Sequence, residues 1–139
     1  MSVEVHVVTP EREVWSGEGE ILIARGVDGD VGILTGHAPL LIQLAIGPLR
    51  IQRESGEWLA AVVDGGFLHV SSENGITRAD VLATSAELAG DIDLDAARRR
   101  VTELEQLLGQ SGDTADGEFG IEATKAELQK AQARVTISA

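Results

Sequence analysis

Apolar and polar residues alternate with a period of two through the first part of the chain. After Gly90 the apolar residues recur at steps of three and four. Period two marks strands with one buried face, and steps of three and four mark amphipathic helices. Val3, Val5 and Val7 alternate with Glu4 and His6, predicting a half-buried strand ended by Thr9-Pro10. Val14-Trp15 begins a second strand, residues 20–25 form a third, and residues 31–34 a short fourth bounded by glycines. Residues 40–45 and 49–53 flank Gly47-Pro48, which reads as a turn. Trp58–Val63 and residues 67–71 flank Asp64-Gly65-Gly66, a hairpin signal that accepts positive φ. Asn74-Gly75 is another, leading into Ile76–Leu82. Short strands broken by turns at this spacing imply an all-β sandwich or barrel.

Beyond Gly90, Leu94, Ala97, Val101, Leu104 and Leu108 form one apolar stripe. Asp93 is placed to cap this helix, and Asp95 suits its positive N-terminal end. Glu103 lies within pairing reach of Arg99 and Arg100. Gly109 reads as the helix end, and residues 110–118 (QSGDTADGE) as a polar loop. A second stripe follows at Ile121, Thr124, Leu128, Ala131 and Val135, so the two helices should form an antiparallel hairpin. Both stripes are narrow, and the second is built mostly from small residues. Such a pair buries too little apolar area to be strongly stable alone. A hairpin held this weakly is able to leave its seat, which fits a switch and equally fits a decorative appendage.

The 139 residues suffice for one domain with a core plus a small appendage. With two Phe, two Trp and no Tyr, that core must come from Val, Ile, Leu and Ala. The absence of cysteine excludes disulfides and thiolate metal sites. The first residues lack the basic flank and apolar block of a signal peptide, and no apolar run approaches the roughly 20 residues that span a bilayer. A soluble or peripheral protein is expected. The net charge of −12 argues against binding nucleic acid and against direct insertion into or attachment to anionic lipid.

Candidate chemistry is sparse. His37, in Gly36-His37-Ala38-Pro39, has no metal-ligand partners at suitable spacing and no nucleophile motif beside it, so it reads as a turn histidine. His6 and His69 read as solvent-facing or satisfied at a sheet rim. The glycines at 26, 29, 32 and 36 match no phosphate-binding loop and read as turn formers. Arg98-Arg99-Arg100 is a basic cluster in an acidic chain: a solvated helix face, or a contact for an acidic partner or a phosphate. No set of acid, base and nucleophile suggests an independent hydrolase.

The segments GDVGILTGHAPLLIQL, GPLRI and VDGGFLHV, then a capped Arg-rich helix and a closing AELQKAQARV, resemble in order and spacing the epsilon subunit of bacterial F-type ATP synthase. The resemblance implies a ten-stranded β-sandwich at 1–88, docking the gamma subunit and the c-ring, and a regulatory helix-turn-helix at 89–139. It implies a non-catalytic rotor subunit of the central stalk, peripheral on the cytoplasmic side of the cell membrane. The segment 30–37 matches the part that faces the c-ring, with Asp30, Gly32, Thr35 and His37; Thr35 stands where proline is common, which removes a φ constraint. In many relatives the hairpin extends and inhibits ATP hydrolysis through basic residues that meet the catalytic alpha/beta head; here these would be Arg98, Arg99, Arg100, Lys125, Lys130 and Arg134. Some relatives bind ATP in the folded hairpin, which points to Asp95, Arg98, Lys130 and Arg134 as a weak regulatory site, with no cofactor required. The motif is incomplete: Arg99 replaces its final alanine, and reading it from Ile92-Asp93 puts Ala96 where arginine is needed. The alternative is a free-standing β-sandwich that binds a protein through its hairpin.

Overall fold

The computed structural model describes residues 2–110 and 117–138. Nine strands come first: β1 (Val3–Val8), β2 (Glu13–Gly19), β3 (Ile21–Gly26), β4 (Gly29–Leu34), β5 (Leu40–Gln52), β6 (Trp58–Val63), β7 (Phe67–Glu73), β8 (Ile76–Leu82) and β9 (Ala86–Leu88). A 3-10 turn at Ala89–Asp91 leads into α1 (Leu94–Gln110) and α2 (Gly117–Ser138).

Strand β5 organises the sandwich. Its first half pairs with β7, and its second half lies between β3 and β6. One sheet therefore runs β2-β1-β8-β7-β5, with β1 and β8 parallel, and the other runs β4-β3-β5-β6-β9. Counting β5 in both, five strands face five. That reconciles nine elements with the ten strands implied by the resemblance.

The turn expected at Gly47-Pro48 is not there, because the strand runs straight through it. Opposite this stretch the β3 ladder is irregular: Ala24 pairs with Leu49 and Gly26 with Leu44, so residues 45–48 face Arg25 alone. A proline, which lacks an N–H, is tolerated where a ladder is already interrupted. The hairpin expected at Asp64-Gly65-Gly66 is also absent. Both glycines have the expected positive φ, but β6 and β7 lie in different sheets and the chain crosses the sandwich there. Alternation told which face of each strand is buried, not which sheet it joins. Asn74-Gly75 does close a two-residue hairpin: Glu73 pairs with Ile76, with φ of 53° and 79° at the two turn residues.

The core between the sheets is aliphatic. Val3, Val5 and Val7 of β1 meet Leu22, Ile33, Leu49, Ile51, Leu68, Val70 and Val81, all buried. Gly36 N–H donates to the Thr77 hydroxyl at 2.8 Å, which satisfies a buried polar side chain.

The helices pack on the outer face of the second sheet. Asp93 caps α1, accepting from Ala96 N–H at 3.0 Å. The start of α1 (Arg98, Val101, Thr102) lies against the end of α2 (Gln132, Val135, Thr136), so the helices are antiparallel. Ala97, Leu104, Ala131 and Ala133 are buried, and the small size of the three alanines permits close approach. α1 runs through Gly109, and α2 begins at Gly117, before the expected end of the polar loop; residues 111–116 lie outside the described residues. Among the described residues no helix is long and apolar enough to cross a membrane.

Candidate functional site

The segment 30–37 is not the loop expected. Asp30, Gly32 and the rest of 30–34 lie in edge strand β4, because β3 and β4 form a hairpin turned at Val27-Asp28. Only Thr35 and His37 lie in the following turn. At about 3.3 Å per residue, Asp30 and Leu34 are about 13 Å apart, so the four expected residues are spread along an edge rather than gathered. Asp30 takes a hydrogen bond from Arg25 Nε at 3.3 Å across the hairpin. A cavity of about 350 Å³ separates the Val27-Asp28 turn from Leu41, Ile42 and Gln43. Val27 and Leu41 beside it are 54% and 66% exposed, an apolar end to the sandwich. His37 Nδ1–H donates to the Ala38 carbonyl at 2.7 Å, as a turn histidine should. Of the glycines at 26, 29, 32 and 36, only Gly29 and Gly36 have positive φ; Gly26 and Gly32 are strand residues.

The outer face of the first sheet carries a polar cluster. His6 Nε2 lies 2.9 Å from Glu4 Oε1, and its Nδ1 lies 3.0 Å from Glu13 Oε1. Both ring nitrogens donate only in the imidazolium. The hydrogen bonds to Glu4 and Glu13 raise the His6 pKa above its ordinary value, while the bond to His6 lowers that of each carboxylate. Arg78 pairs with Asp80 at 3.1 Å beside it. Next to this cluster Phe67 and Leu82 are cross-strand partners and half exposed.

The six basic residues of the hairpin divide into two groups. Arg98 and Arg99 are exposed, Arg100 pairs with Glu103 at 3.4 Å, and Lys125 pairs with Glu122 at 3.6 Å. Lys130 and Arg134 instead face the sandwich. Lys130 Nζ lies 3.5 Å from Asp64 Oδ2, and Arg134 Nε donates to Glu87 Oε1 at 2.8 Å. Arg98 lines a cavity of about 380 Å³ between the helices, with Val101, Thr102, Gln132, Val135 and Thr136. Residues four apart share a helix face, so Lys130 and Arg134 lie on one side of α2, and Gln132 and Thr136 on the other. In this conformation Asp95 and Arg98 are not gathered with Lys130 and Arg134. The acidic partners Asp64 and Glu87 were not foreseen. The i, i+4 cations called for acids, but no spacing in the sequence located them. No group of His, Asp and Glu among the described residues could hold a metal ion.

One strand shared by both sheets joins the sandwich, and a two-helix hairpin is folded on its face. Residues 2–89 match the family model for the ATP synthase delta/epsilon chain β-sandwich domain, and the chain belongs to that family. It is 44% identical over 94 residues to the ATP synthase epsilon chain of Brevibacillus brevis, covering 68% of each chain. It is 37% identical over 139 residues to that of a Synechococcus species, covering all of this chain and 93% of the relative. The fold also matches a chain in the cryo-EM structure of the Euglena gracilis mitochondrial ATP synthase OSCP/F1/c-ring, with a TM-score of 0.78 at 22% identity over 95% of this chain and 78% of that one.

Proposed function

We propose that this chain is a non-catalytic rotor subunit of the central stalk of a proton-translocating ATP synthase. It transmits torque between the c-ring and the catalytic head and does no bond chemistry itself. The observation that carries this reading is the epsilon-chain likeness that runs through both sandwich and hairpin, with the Synechococcus relative spanning all of this chain. Its partners are the gamma subunit, the c-ring and, with the hairpin extended, the alpha/beta head. It is held at the cytoplasmic side of the cell membrane through those partners rather than by a span of its own.

The apolar end at Val27 and Leu41, with Asp30 beside it, suits a contact with the ring, and the exposed Phe67 and Leu82 suit gamma. The hairpin acts as a brake on ATP hydrolysis. Its basic residues suit an acidic surface on the head. ATP is a weak ligand of the folded hairpin. Arg98, Thr102, Gln132 and Thr136 would receive its phosphates, with Asp95 nearby. Lys130 and Arg134 would have to leave their carboxylates to join, which keeps the affinity low. An ATP titration by calorimetry without heat up to about millimolar concentration would remove that part of the reading.

The test is ATP hydrolysis by the reconstituted complex carrying either the full chain or a chain stopped after Gly90, at several ATP concentrations. Higher activity with the shortened chain is expected. Equal activity refutes the brake, and failure of the full chain to co-purify with gamma and the head refutes the rotor assignment.

A further inference from the structure

We propose that Asp64 and Glu87 form an ionic latch that seats the hairpin and masks Lys130 and Arg134 from any other acidic partner. The latch follows from the register of the second sheet. Glu87 of β9 is the cross-strand partner of Val62 on β6, and Asp64 lies two residues beyond Val62. Successive side chains alternate between faces, so Val62, Asp64 and Glu87 share the outer face, under α2. Diagonal neighbours on a sheet are about 7–8 Å apart, and four residues of helix rise about 6 Å. The spacing of the two acids therefore matches the single turn from Lys130 to Arg134.

The pairs are sheltered. Lys130 and Arg134 side chains are 18% and 26% exposed, against 59% for Lys125, which pairs within α2. A third polar contact sits beside them, from Gln129 Nε2 to the Ile46 carbonyl at 3.2 Å. On the outer face of the sheet Val62 and Pro48 are buried, as are Ala131 and Ala133 of α2. The polar contacts are the part of the hold that salt and competing anions weaken. Two cations cannot serve Asp64 and Glu87 and an external acidic surface at once. The sandwich carboxylates act as an internal competitor. The latch stands apart from the brake; only its consequence for hydrolysis rests on that reading.

The full chain has no cysteine, so Ser55→Cys and Gln132→Cys place a donor and an acceptor dye without background. Energy transfer then reports whether the hairpin is seated. Neutralising both acids (Asp64→Asn with Glu87→Gln) should raise the open population about tenfold, equivalent to about 1.4 kcal/mol, and abolish its salt dependence. About 1 M salt should open the wild-type hairpin to a similar degree. Exchanging the charges (Asp64→Lys, Glu87→Lys, Lys130→Glu, Arg134→Glu) should close it again, which separates a latch from general damage to the fold. Unchanged transfer and an unchanged salt response in the neutralised variant would overturn the latch. A hairpin that opens in this variant while hydrolysis by the reconstituted complex stays constant keeps the latch and removes the brake.

Discussion

Gly66 marks the passage of the chain from one sheet to the other, and replacing it with alanine tests that crossover directly. Its φ is +106°, in the region that side chains disfavour, and a Cβ there would overlap the Leu82 carbonyl oxygen and lie 2.8 Å from the Ala83 Cα. Neither neighbour is free to yield. Gly66 O accepts from Leu44 N–H at 2.9 Å, and the next residue, Phe67, is paired with both Gln43 and Leu82. The left-handed backbone costs about 1–2 kcal/mol. Relieving the overlap parts the end of the β7–β8 ladder, where Leu68 and Val81 are fully buried, and costs about 1–3 kcal/mol more. The sum is about 2–5 kcal/mol, a large fraction of a typical domain's stability of about 5–15 kcal/mol. At about 4–8 °C per kcal/mol for a domain of this size, Gly66→Ala should lower the melting temperature by at least about 8 °C. Gly65→Ala is the internal control. It too has positive φ, +67°, but no atom lies within 4 Å of its Cβ position. It should cost only about 1 kcal/mol, through the backbone alone. Thermal unfolding followed by far-UV circular dichroism compares them. Equal shifts would refute the close approach at the crossover.

Two further predictions concern the first-sheet face and the hairpin. His6 has a raised pKa in the fold, so its charged hydrogen bonds stabilise fully below its unfolded pKa of about 6.5 and are lost as pH rises through the folded value. The melting temperature of wild type minus that of His6→Gln should therefore fall as pH rises above about 6.5, and a flat difference would show that the cluster is not linked to His6 protonation. Leu104, 2% exposed on α1, is the largest buried side chain of the hairpin among the described residues. Leu104→Ala should cost about 2 kcal/mol and speed hydrogen exchange of the α1 amides about 30-fold while leaving β1 and β8 unchanged; equal acceleration everywhere would make sandwich and hairpin one cooperative unit.

Much of the fold was legible because periodicity reports burial. Val3, Val5 and Val7 all face the core as alternation required, and Leu104, Ala97 and Ala131 are buried as the helical stripes required. What periodicity omits is connection. Gly47-Pro48 has turn chemistry yet lies within β5, since only the neighbouring strand's irregularity makes proline acceptable there. Asp64-Gly65-Gly66 has hairpin chemistry yet joins two sheets. Strand β9 escaped notice because three residues around a glutamate carry no alternation to detect. The segment 30–37, expected as a loop, is mostly strand β4, because glycines at 26 and 32 looked like turns. The acidic seats of Lys130 and Arg134 depend on register between distant strands, which the sequence does not display.

These differences share one physical origin, and it bears on what the two parts are for. The sandwich is stabilised by aliphatic contacts between sheets of long sequence separation, and such contacts are lost together or not at all. That makes a stiff body, suited to carrying torque. The hairpin is tied to this body by polar contacts from Gln129, Lys130 and Arg134, so its seat should be separable from the sandwich core. Enlarging the apolar outer face of β6, for example Val62→Ile, should slow release and reduce its salt dependence without altering the melting of the sandwich. Transfer between the dyes at 55 and 132 measures both. A variant that stays seated yet remains as salt-sensitive as wild type would show that the ionic contacts dominate whatever lies beneath them.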